Sequence, residues 1–313
     1  MRELWVDRCK GFNMIGVVAY HLTTTFAMGE NGKIFHAFAY WDIAFSMSLF
    51  FVISGYCYMI SSEKRKLERK VSRIFYRELD IAVPYIVFSA LYYCIHMDMS
   101  IVQIISKYWF MPALGVVVFV VILFINPARV EIWTVAALAL TVISGMVNNV
   151  LAKMIYYILC YLIGMCIYKH KKMIQSKTVI LLSGLVFIAY GTYYYIISGG
   201  TYIVDVYPKM IAGISGTLFV MGLFKWFGDR KDVLSEVGKY TLIIYFLHMH
   251  VWDAIKIIYD ESMPTGISLV LCLGGIAVAC VLSVYVQRFV FDRTFLKNIL
   301  FPSKLLRQYK KKD

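Results

Sequence analysis

Long apolar runs recur along the whole chain and are separated by short polar or basic segments. A helix needs roughly 20 apolar residues to cross the hydrocarbon core of a bilayer. Ten runs approach that length, so the pattern predicts an all-α integral membrane protein, a bundle of about ten transmembrane helices. The predicted spans are residues 11–29, 41–60, 79–96, 108–125, 130–147, 151–168, 178–197, 208–227, 239–257 and 266–286.

The basic residues are distributed unevenly between the segments that connect these spans. An even number of spans places both termini on one side of the membrane, and the segments on that side carry most of the Lys and Arg residues. The positive-inside rule therefore predicts that both the N and C termini are cytoplasmic. The basic side contains Lys64, Arg65, Lys66, Arg69, Lys70, Arg73, Arg77, Lys169, Lys171, Lys172, Lys177, Arg230, Lys231, Lys310, Lys311 and Lys312, whereas the opposite side carries Lys33, Lys107, Lys153, Lys209 and Lys256.

The composition excludes an ordinary soluble domain. Hydrophobic residues make up 60% of the chain and charged residues only 16%, and the mean hydropathy is +0.69. The formal net charge of +13 does not indicate nucleic-acid binding, because the cations lie between apolar runs instead of on one soluble surface. The seven cysteines show no metal-ligand spacing, so we expect free thiols and no structural metal site.

The predicted membrane domain comprises residues 1–288, and residues 289–313 form a basic tail. In this tail, apolar residues are mixed with Lys and Arg, which is typical of a helix lying at a membrane interface. We expect the tail to rest on the anionic inner leaflet, with anchoring as its main role. Its apolar residues are Phe291, Phe295, Leu296, Ile299 and Leu300.

The first span carries ionisable residues along one face. On a helix that advances about 100° per residue, Lys10 and His21 return to nearly the same face about 16 Å apart along the axis, and Asp7 falls close to it. A histidine can take a hydroxyl proton near neutral pH. This stripe favours a reaction whose charged donor binds at the cytoplasmic edge while proton transfer occurs deeper, and its three residues are the catalytic candidates. The alternative is a structural histidine hydrogen-bonded between helices.

Two short motifs at the second and third spans are candidates for binding the donor. Ser54 and Gly55 are small enough for a ligand, or simply another helix, to approach the backbone closely. Arg73 and Arg77 are four residues apart beside the membrane, where they can bind phosphate in a bidentate manner. Helix packing and membrane orientation are the alternative explanations for these two motifs.

The ninth span carries polar and aromatic residues that recur at helical spacing on one face. This pattern predicts that the face contacts protein or a cavity instead of lipid. Its residues are Thr241, Tyr245, His248 and Trp252. A second polar set on the same span is interpreted as mainly structural, because Asp253 reaches both of its neighbours within one helical turn. That set consists of His250, Asp253 and Lys256.

Together these segments resemble the acyltransferase family 3 proteins, which are bacterial membrane enzymes that acylate sugars and related acceptors. The resemblance covers nearly the whole chain and rests on the order and spacing of short pieces. In chain order they are Asp7 to Gly11 with His21, Phe50 to Tyr56, Arg77 with Pro84 and Tyr85, Trp109 to Leu114, and Thr241 to His248. Lys10 and His21 match the family's basic-x10-His motif, with lysine in place of the more usual arginine.

The resemblance implies transfer of an acyl group, usually acetyl, from cytoplasmic acyl-CoA to a hydroxyl of a lipid-linked or cell-surface glycan at the bacterial cytoplasmic membrane. His21 would then act as the catalytic base or as a transient acyl carrier. Acyl-CoA is expected as a donor substrate, with no tightly bound cofactor. The expected donor-binding residues are Lys10, Ser54, Gly55, Arg73, Arg77, Tyr245 and His248.

Two serines depart from the family pattern. Many relatives of this subgroup read Phe-His-Met-Pro-Leu-Phe-Phe where this chain has Ser46 and Ser48, which weakens any transfer of subgroup or acceptor to this chain. The alternative function is a transporter or flippase for an anionic lipid-linked saccharide, which also needs many helices and a basic face. The sequence shows no internal repeat, which counts against a transporter. The acceptor, the acyl chain and the oligomeric state stay open.

Overall fold

The computed structural model describes residues 3–27, 32–63, 70–97, 99–147, 149–200 and 205–309. Within these ranges all regular structure is helical. The α-helices are α1 (Leu4–Phe26), α2 (Lys33–Glu63), α3 (Lys70–Ile95), α4 (Ile101–Lys107), α5 (Phe110–Phe124), α6 (Val130–Val147), α7 (Asn149–Lys169), α8 (Lys177–Ile197), α9 (Val206–Phe227), α10 (Val233–Lys239), α11 (Thr241–Ile258), α12 (Thr265–Val286), α13 (Lys297–Leu300) and α14 (Pro302–Tyr309). Short 3₁₀ turns at Pro127–Arg129 and Met173–Gln175 and a π-helical turn at Gln287–Phe291 complete the helical structure of these ranges.

In the described part of the chain, eight helical segments are long and apolar enough to cross a bilayer, and they contain α2, α3, α6 to α9, α11 and α12. The α4 and α5 helices meet at 68° and add a ninth span if they cross the membrane together. The α1 helix has 23 residues, about 34 Å of helix, but Lys10, Asn13 and His21 make it more polar than the others. The all-helical membrane class is confirmed, whereas the count of ten and the cytoplasmic termini stay predictions.

Several helices expose large apolar side chains on their outer faces. Val135 and Ile143 of α6 are 67% and 60% exposed, and Leu181 of α8 and Val281 of α12 are 71% and 68% exposed. Apolar surface on this scale is unfavourable in water and marks a surface that contacts membrane. The exposed faces therefore agree with a multi-pass protein surrounded by lipid.

The interior contains two apolar cores, and α1 contributes to both. The first core lies mainly among α2, α5, α6, α7 and α9, and it includes the fully buried Trp5 of α1. The second core lies mainly among α1, α3, α11 and α12, and it includes Met14, Val18 and Leu22 of α1. The α1 helix thus runs between the two cores, where other helices shield its polar residues from lipid.

The N-terminal end of α1 crosses α10 with direct backbone contact. A Cβ atom at Gly11 would lie 2.0 Å from the Leu234 carbonyl oxygen, and one at Gly238 would lie 1.8 Å from the Asp7 carbonyl oxygen. Atoms cannot approach so closely, so both positions require glycine. This crossing fixes the height and rotation of the turn that carries Lys10.

Glu3 fastens the start of α1 to its neighbours. Its carboxylate accepts hydrogen bonds from Trp5 Nε1 at 2.8 Å, Tyr56 Oη at 2.7 Å and Lys171 Nζ at 3.2 Å. Burial raises the pKa of Glu3, but these three donors outweigh burial, so the pKa lies below its ordinary value of 4.5. The ionised carboxylate therefore links α1 to α2 and to the segment after α7.

The tail after α12 returns to the bundle. The predicted domain boundary at residue 288 falls within the π-helical turn, and α13 and α14 then fold back onto α3. Leu300, one of the apolar residues of the predicted tail, is fully buried in the second core, whereas the interfacial position of the tail as a whole stays a prediction. Phe295 is 78% exposed, and its role as a membrane anchor stays a prediction.

Candidate active site

A cavity of about 320 Å³ lies between α1, α2, α3, α5, α7 and α11, with the C-terminal segment along one wall. Its lining is largely apolar and includes Phe50 and Leu114. Three charged residues, Lys10, Arg77 and Asp80, also line it. An apolar pocket with a few convergent polar groups has the character of a small-molecule site.

The cavity is lined by residues from four separate helices that carry the predicted motifs. Lys10 comes from α1, Ser54 from α2, Arg77 from α3, and Thr241 and Tyr245 from α11. Helical spacing placed Thr241 and Tyr245 on one face, and the structure turns that face toward the cavity. The grouping of these helices around one space is a result of the tertiary fold.

The cavity favours an anionic ligand. Lys10 Nζ lies 4.0 Å from Asp7 Oδ1, a loose contact, and Arg77 Nη2 donates a hydrogen bond of 2.7 Å to the neutral Ser61 Oγ. The Asp80 carboxylate is already hydrogen-bonded to α14 at 3.0 and 2.7 Å. Two cations and one carboxylate thus face the space, a net charge of +1, and the two cations can bind phosphate groups.

Five of the predicted site residues do not line the cavity: Asp7, Gly55 and Arg73, and the two histidines His21 and His248, which lie beside it. Gly55 packs against α7, where a Cβ atom would lie 1.9 Å from the Tyr161 carbonyl oxygen, so its small size serves helix packing. Arg73 lies one helical turn before the cavity wall. Asp7 is about 21 Å along the α1 axis from His21, which excludes direct contact between these two side chains.

His21 belongs to a cluster of rings next to the cavity. Its ring centroid lies 5.2 Å from that of His248 and 4.9 Å from that of Trp252. The His248 ring in turn lies 6.0 Å from the ring of Tyr245, which lines the cavity. A continuous series of rings therefore leads from the cavity to His21. The predicted polar face of α11 therefore contacts the predicted histidine of α1 through His248 and Trp252.

The tautomer of His248 follows from its hydrogen bond. His248 Nδ1 lies 3.0 Å from the Ile244 carbonyl oxygen, which can only accept, so Nδ1 carries the proton. In the neutral ring, Nε2 therefore holds a lone pair. This atom is buried and has no hydrogen-bond partner among the described residues. A buried acceptor without a partner is costly, so Nε2 is a candidate for a functional hydrogen bond.

A family model described as an acyltransferase domain matches residues 3–285. The chain belongs to acyltransferase family 3. The match includes all of α1 to α11 and therefore the cavity residues of α1, α2, α3 and α11, whereas α13 and α14 lie beyond it. Neither a curated protein nor a solved structure shows a significant match to the chain. The protein is thus a membrane acyltransferase.

In this acyltransferase, the two serines that depart from the family pattern lie in helix contacts. Ser48 Oγ and Tyr156 Oη of α7 are hydrogen-bonded at 2.6 Å, and both side chains are fully buried. The carbonyl oxygen of Ser46 accepts a hydrogen bond of 2.8 Å from Asn13 Nδ2 of α1. Both positions therefore join α2 to its neighbours and lie outside the cavity wall.

A charge network at the far end of α11 was only partly predicted. Asp253 lies 3.6 Å from Lys256, one helical turn away, as the spacing indicated. The structure adds Lys107 at 3.0 Å and His96 at 3.8 Å, and Tyr92 donates a hydrogen bond to the same carboxylate. Lys107 and Asp253 are 146 residues apart, so no local pattern could have paired them.

The charge network reaches the histidine cluster of the acyltransferase through Trp252. Lys256 Nζ lies 3.2 Å from the centroid of the Trp252 ring, a cation–π contact. Trp252 Nε1 donates a hydrogen bond of 2.8 Å to Thr25 Oγ1 at the end of α1. These contacts fix the indole beside His21, with the cavity on one side of the histidine pair and the charge network on the other.

Proposed function

We propose that the protein transfers an acyl group, and first of all acetyl, from cytoplasmic acyl-CoA to a hydroxyl of a cell-surface or lipid-linked glycan. The observation that carries this proposal is the cavity with Lys10 and Arg77, from which Tyr245 and His248 lead to His21. Membership of acyltransferase family 3 supplies the reaction class. The proposed location is the bacterial cytoplasmic membrane.

The charges of the cavity support acyl-CoA as the donor. Coenzyme A carries several phosphate charges, which Lys10 and Arg77 can bind, while the apolar lining suits the uncharged arm that ends in the thioester. Arg73 lies one turn from the cavity wall, within reach of a phosphate that extends beyond it. Ser54 and Thr241 provide hydroxyl groups along the lining.

The proposed chemistry needs one proton acceptor near the thioester. The neutral imidazole of His21 takes the proton of the acceptor hydroxyl, and the hydroxyl oxygen forms a bond to the thioester carbonyl carbon. The carbon–sulfur bond then breaks, and the CoA thiolate leaves and recovers the proton from the imidazolium. In the alternative route a His21 ring nitrogen attacks the thioester carbon, the carbon–sulfur bond breaks, and CoA leaves as the thiol with the imidazole proton. The acceptor hydroxyl then attacks the acyl-imidazole, the carbon–nitrogen bond breaks, and the hydroxyl proton returns to the imidazole. In both routes His248 packs against the His21 ring and holds that ring in position.

The test uses the purified protein in lipid nanodiscs with radiolabelled acetyl-CoA. We expect the protein to bind acetyl-CoA and to hydrolyse it slowly without an acceptor, and we expect His21→Ala to remove hydrolysis while the yield of folded protein is retained. The matched control is His36→Ala, because His36 lies beside Tyr195 and outside the cavity lining. Full acyl transfer by His21→Ala would refute the mechanism.

Deletion of the gene separates acylation of glycans from other functions. Mass spectrometry of surface and secreted glycans should show loss of one ester group in the deletion strain. An unchanged ester pattern together with no acetyl-CoA binding would favour the alternative, a transporter or flippase for an anionic lipid-linked saccharide.

A further inference from the structure

The segment after α12 forms part of the cavity although it lies beyond the residues matched by the family model. The chain passes the π-helical turn, forms α13 and α14, and packs both helices against α3. We call residues 297–309 the C-terminal strap. The strap is packed on the bundle and does not form a separate tail. It covers the stretch of α3 that supplies Arg77 and Asp80 to the cavity.

Two contacts fasten the strap to α3. The Asp80 carboxylate accepts a hydrogen bond of 3.0 Å from the Ser303 backbone N–H and one of 2.7 Å from Ser303 Oγ. The Arg307 guanidinium lies 4.2 Å from the centroid of the Tyr76 ring, which is a cation–π contact. Tyr76 and Asp80 are one helical turn apart and flank Arg77, so the strap is attached on both sides of a donor-site residue.

The first turns of the strap reach the cavity itself. Leu300 is fully buried and Phe301 is half-buried, and both line the cavity together with Lys10 and Arg77. They add apolar surface beside the two cations. Without them, the apolar part of the cavity would open to water at this wall, and a bound apolar group would lose the free energy of transfer out of water.

We propose that the C-terminal strap completes the acyl-CoA site: Leu300 and Phe301 contact the apolar arm of the donor, while Lys10 and Arg77 bind its phosphates. This inference rests on the proposed function. It assigns part of the donor affinity to a segment outside the family match, and it predicts that changes in the strap alter the use of acyl-CoA and leave the glycan acceptor unaffected.

The experiment measures acetyl-CoA binding and steady-state transfer by Phe301→Ala and Ser303→Ala in nanodiscs. Phe301→Ala should weaken acetyl-CoA binding about tenfold, because it removes most of one aromatic contact surface. Ser303→Ala should weaken binding about threefold, since it removes one of the two hydrogen bonds to Asp80. The control is Phe295→Ala, whose side chain is 78% exposed, and it should bind acetyl-CoA like the wild type.

The strap has a kinetic signature that a purely structural role would lack. The KM for acetyl-CoA should rise in both strap variants while kcat and the KM for acceptor stay at wild-type values, and Phe301→Leu should restore most of the affinity. Wild-type binding by both variants would overturn the strap proposal and leave the proposed function intact. Tighter binding by Phe301→Ala would also overturn it, because the strap would then obstruct the site. Failure of the wild-type protein to bind acetyl-CoA would overturn both proposals.

Discussion

Replacing Asp253 by alanine tests the charge network at the far end of α11. Asp253 Oδ2 lies 3.0 Å from Lys107 Nζ, and the two side chains are only 18% and 13% exposed. Removal of one partner from such a pair leaves the other charge buried without compensation, which costs about 3–5 kcal/mol. Lys256 would then add repulsion between like charges. We therefore expect Asp253→Ala to lower the free energy of unfolding by about 3–5 kcal/mol.

The assay is reversible unfolding by SDS in mixed micelles, followed by circular dichroism. The matched control is Glu131→Ala, which breaks an ion pair of 2.8 Å with Lys169 whose side chains are 42% and 38% exposed. Because water and salt screen an exposed pair, this control should show no measurable loss. The double variant Lys107→Ala with Asp253→Ala should recover at least half of the loss, since it removes both buried charges. Equal losses in the two single variants, or no recovery in the double variant, would refute the reasoning.

Three further predictions concern the donor site, a helix crossing and the response to pH. Arg77→Ala should raise the KM for acyl-CoA about tenfold and leave the KM for acceptor unchanged, because it removes a charged hydrogen-bond donor from the cavity; an effect on the acceptor alone would reverse this assignment. Gly238→Ala should lower the free energy of unfolding by about 3 kcal/mol, because the added methyl group would clash with the Asp7 carbonyl oxygen. The control is Gly274→Ala, which has open space around it and should unfold like the wild type in the same SDS titration. The lowered pKa of Glu3 means that its contribution to stability is present above pH 4.5 and is lost as the pH falls through the lower folded-state value. The difference in thermal midpoint between wild type and Glu3→Gln should therefore shrink as the pH falls below 4.5, and a difference that stays constant on acidification would contradict this explanation.

The faces of α1 and α11 were predictable because they depend only on helical periodicity. Lys10 and His21 are eleven residues apart, and Tyr245, His248 and Trp252 recur at intervals of three and four. Such spacings place side chains on one face of any regular helix. The structure joins the two faces at the contact between His21 and His248. What periodicity could not provide was the packing of these two helices against each other.

Two short helices were missed although local signals for them were present. Ser100 and Gln103 form a capping box at the start of α4, and Asp232 and Ser235 form another at the start of α10. A prediction based on runs of 20 apolar residues passes over helices of seven residues. The capping signals mark where a helix begins, and with them the break before α5 and the separate α10 would have been visible.

The C-terminal strap and the charge network depend on contacts between residues far apart in the sequence, which local patterns do not predict. The contact between Asp80 and Ser303 joins residues 223 positions apart. It holds the C-terminal strap against α3, where Leu300 and Phe301 line the cavity. The mixture of apolar and basic residues in that tail fits a membrane anchor and a packed helix equally well, because both require one apolar face. The contacts of the tail with α3 distinguish a packed helix from a membrane anchor. The position of α3 in turn depends on the packing of the whole bundle.

The placement of His21 between the cavity and the charge network bears on the two routes of the proposed reaction. If acyl-CoA binds in the cavity and the acceptor binds on the Trp252 side, both substrates can be bound at once, and direct transfer is possible. An acyl-imidazole on His21 would instead allow CoA to leave before the acceptor binds. Direct transfer gives intersecting double-reciprocal plots when both substrates are varied, and the acyl-imidazole route gives the parallel plots of a ping-pong mechanism. Binding of the two substrates on opposite sides of His21 would favour direct transfer, because neither substrate would have to leave before the other could bind.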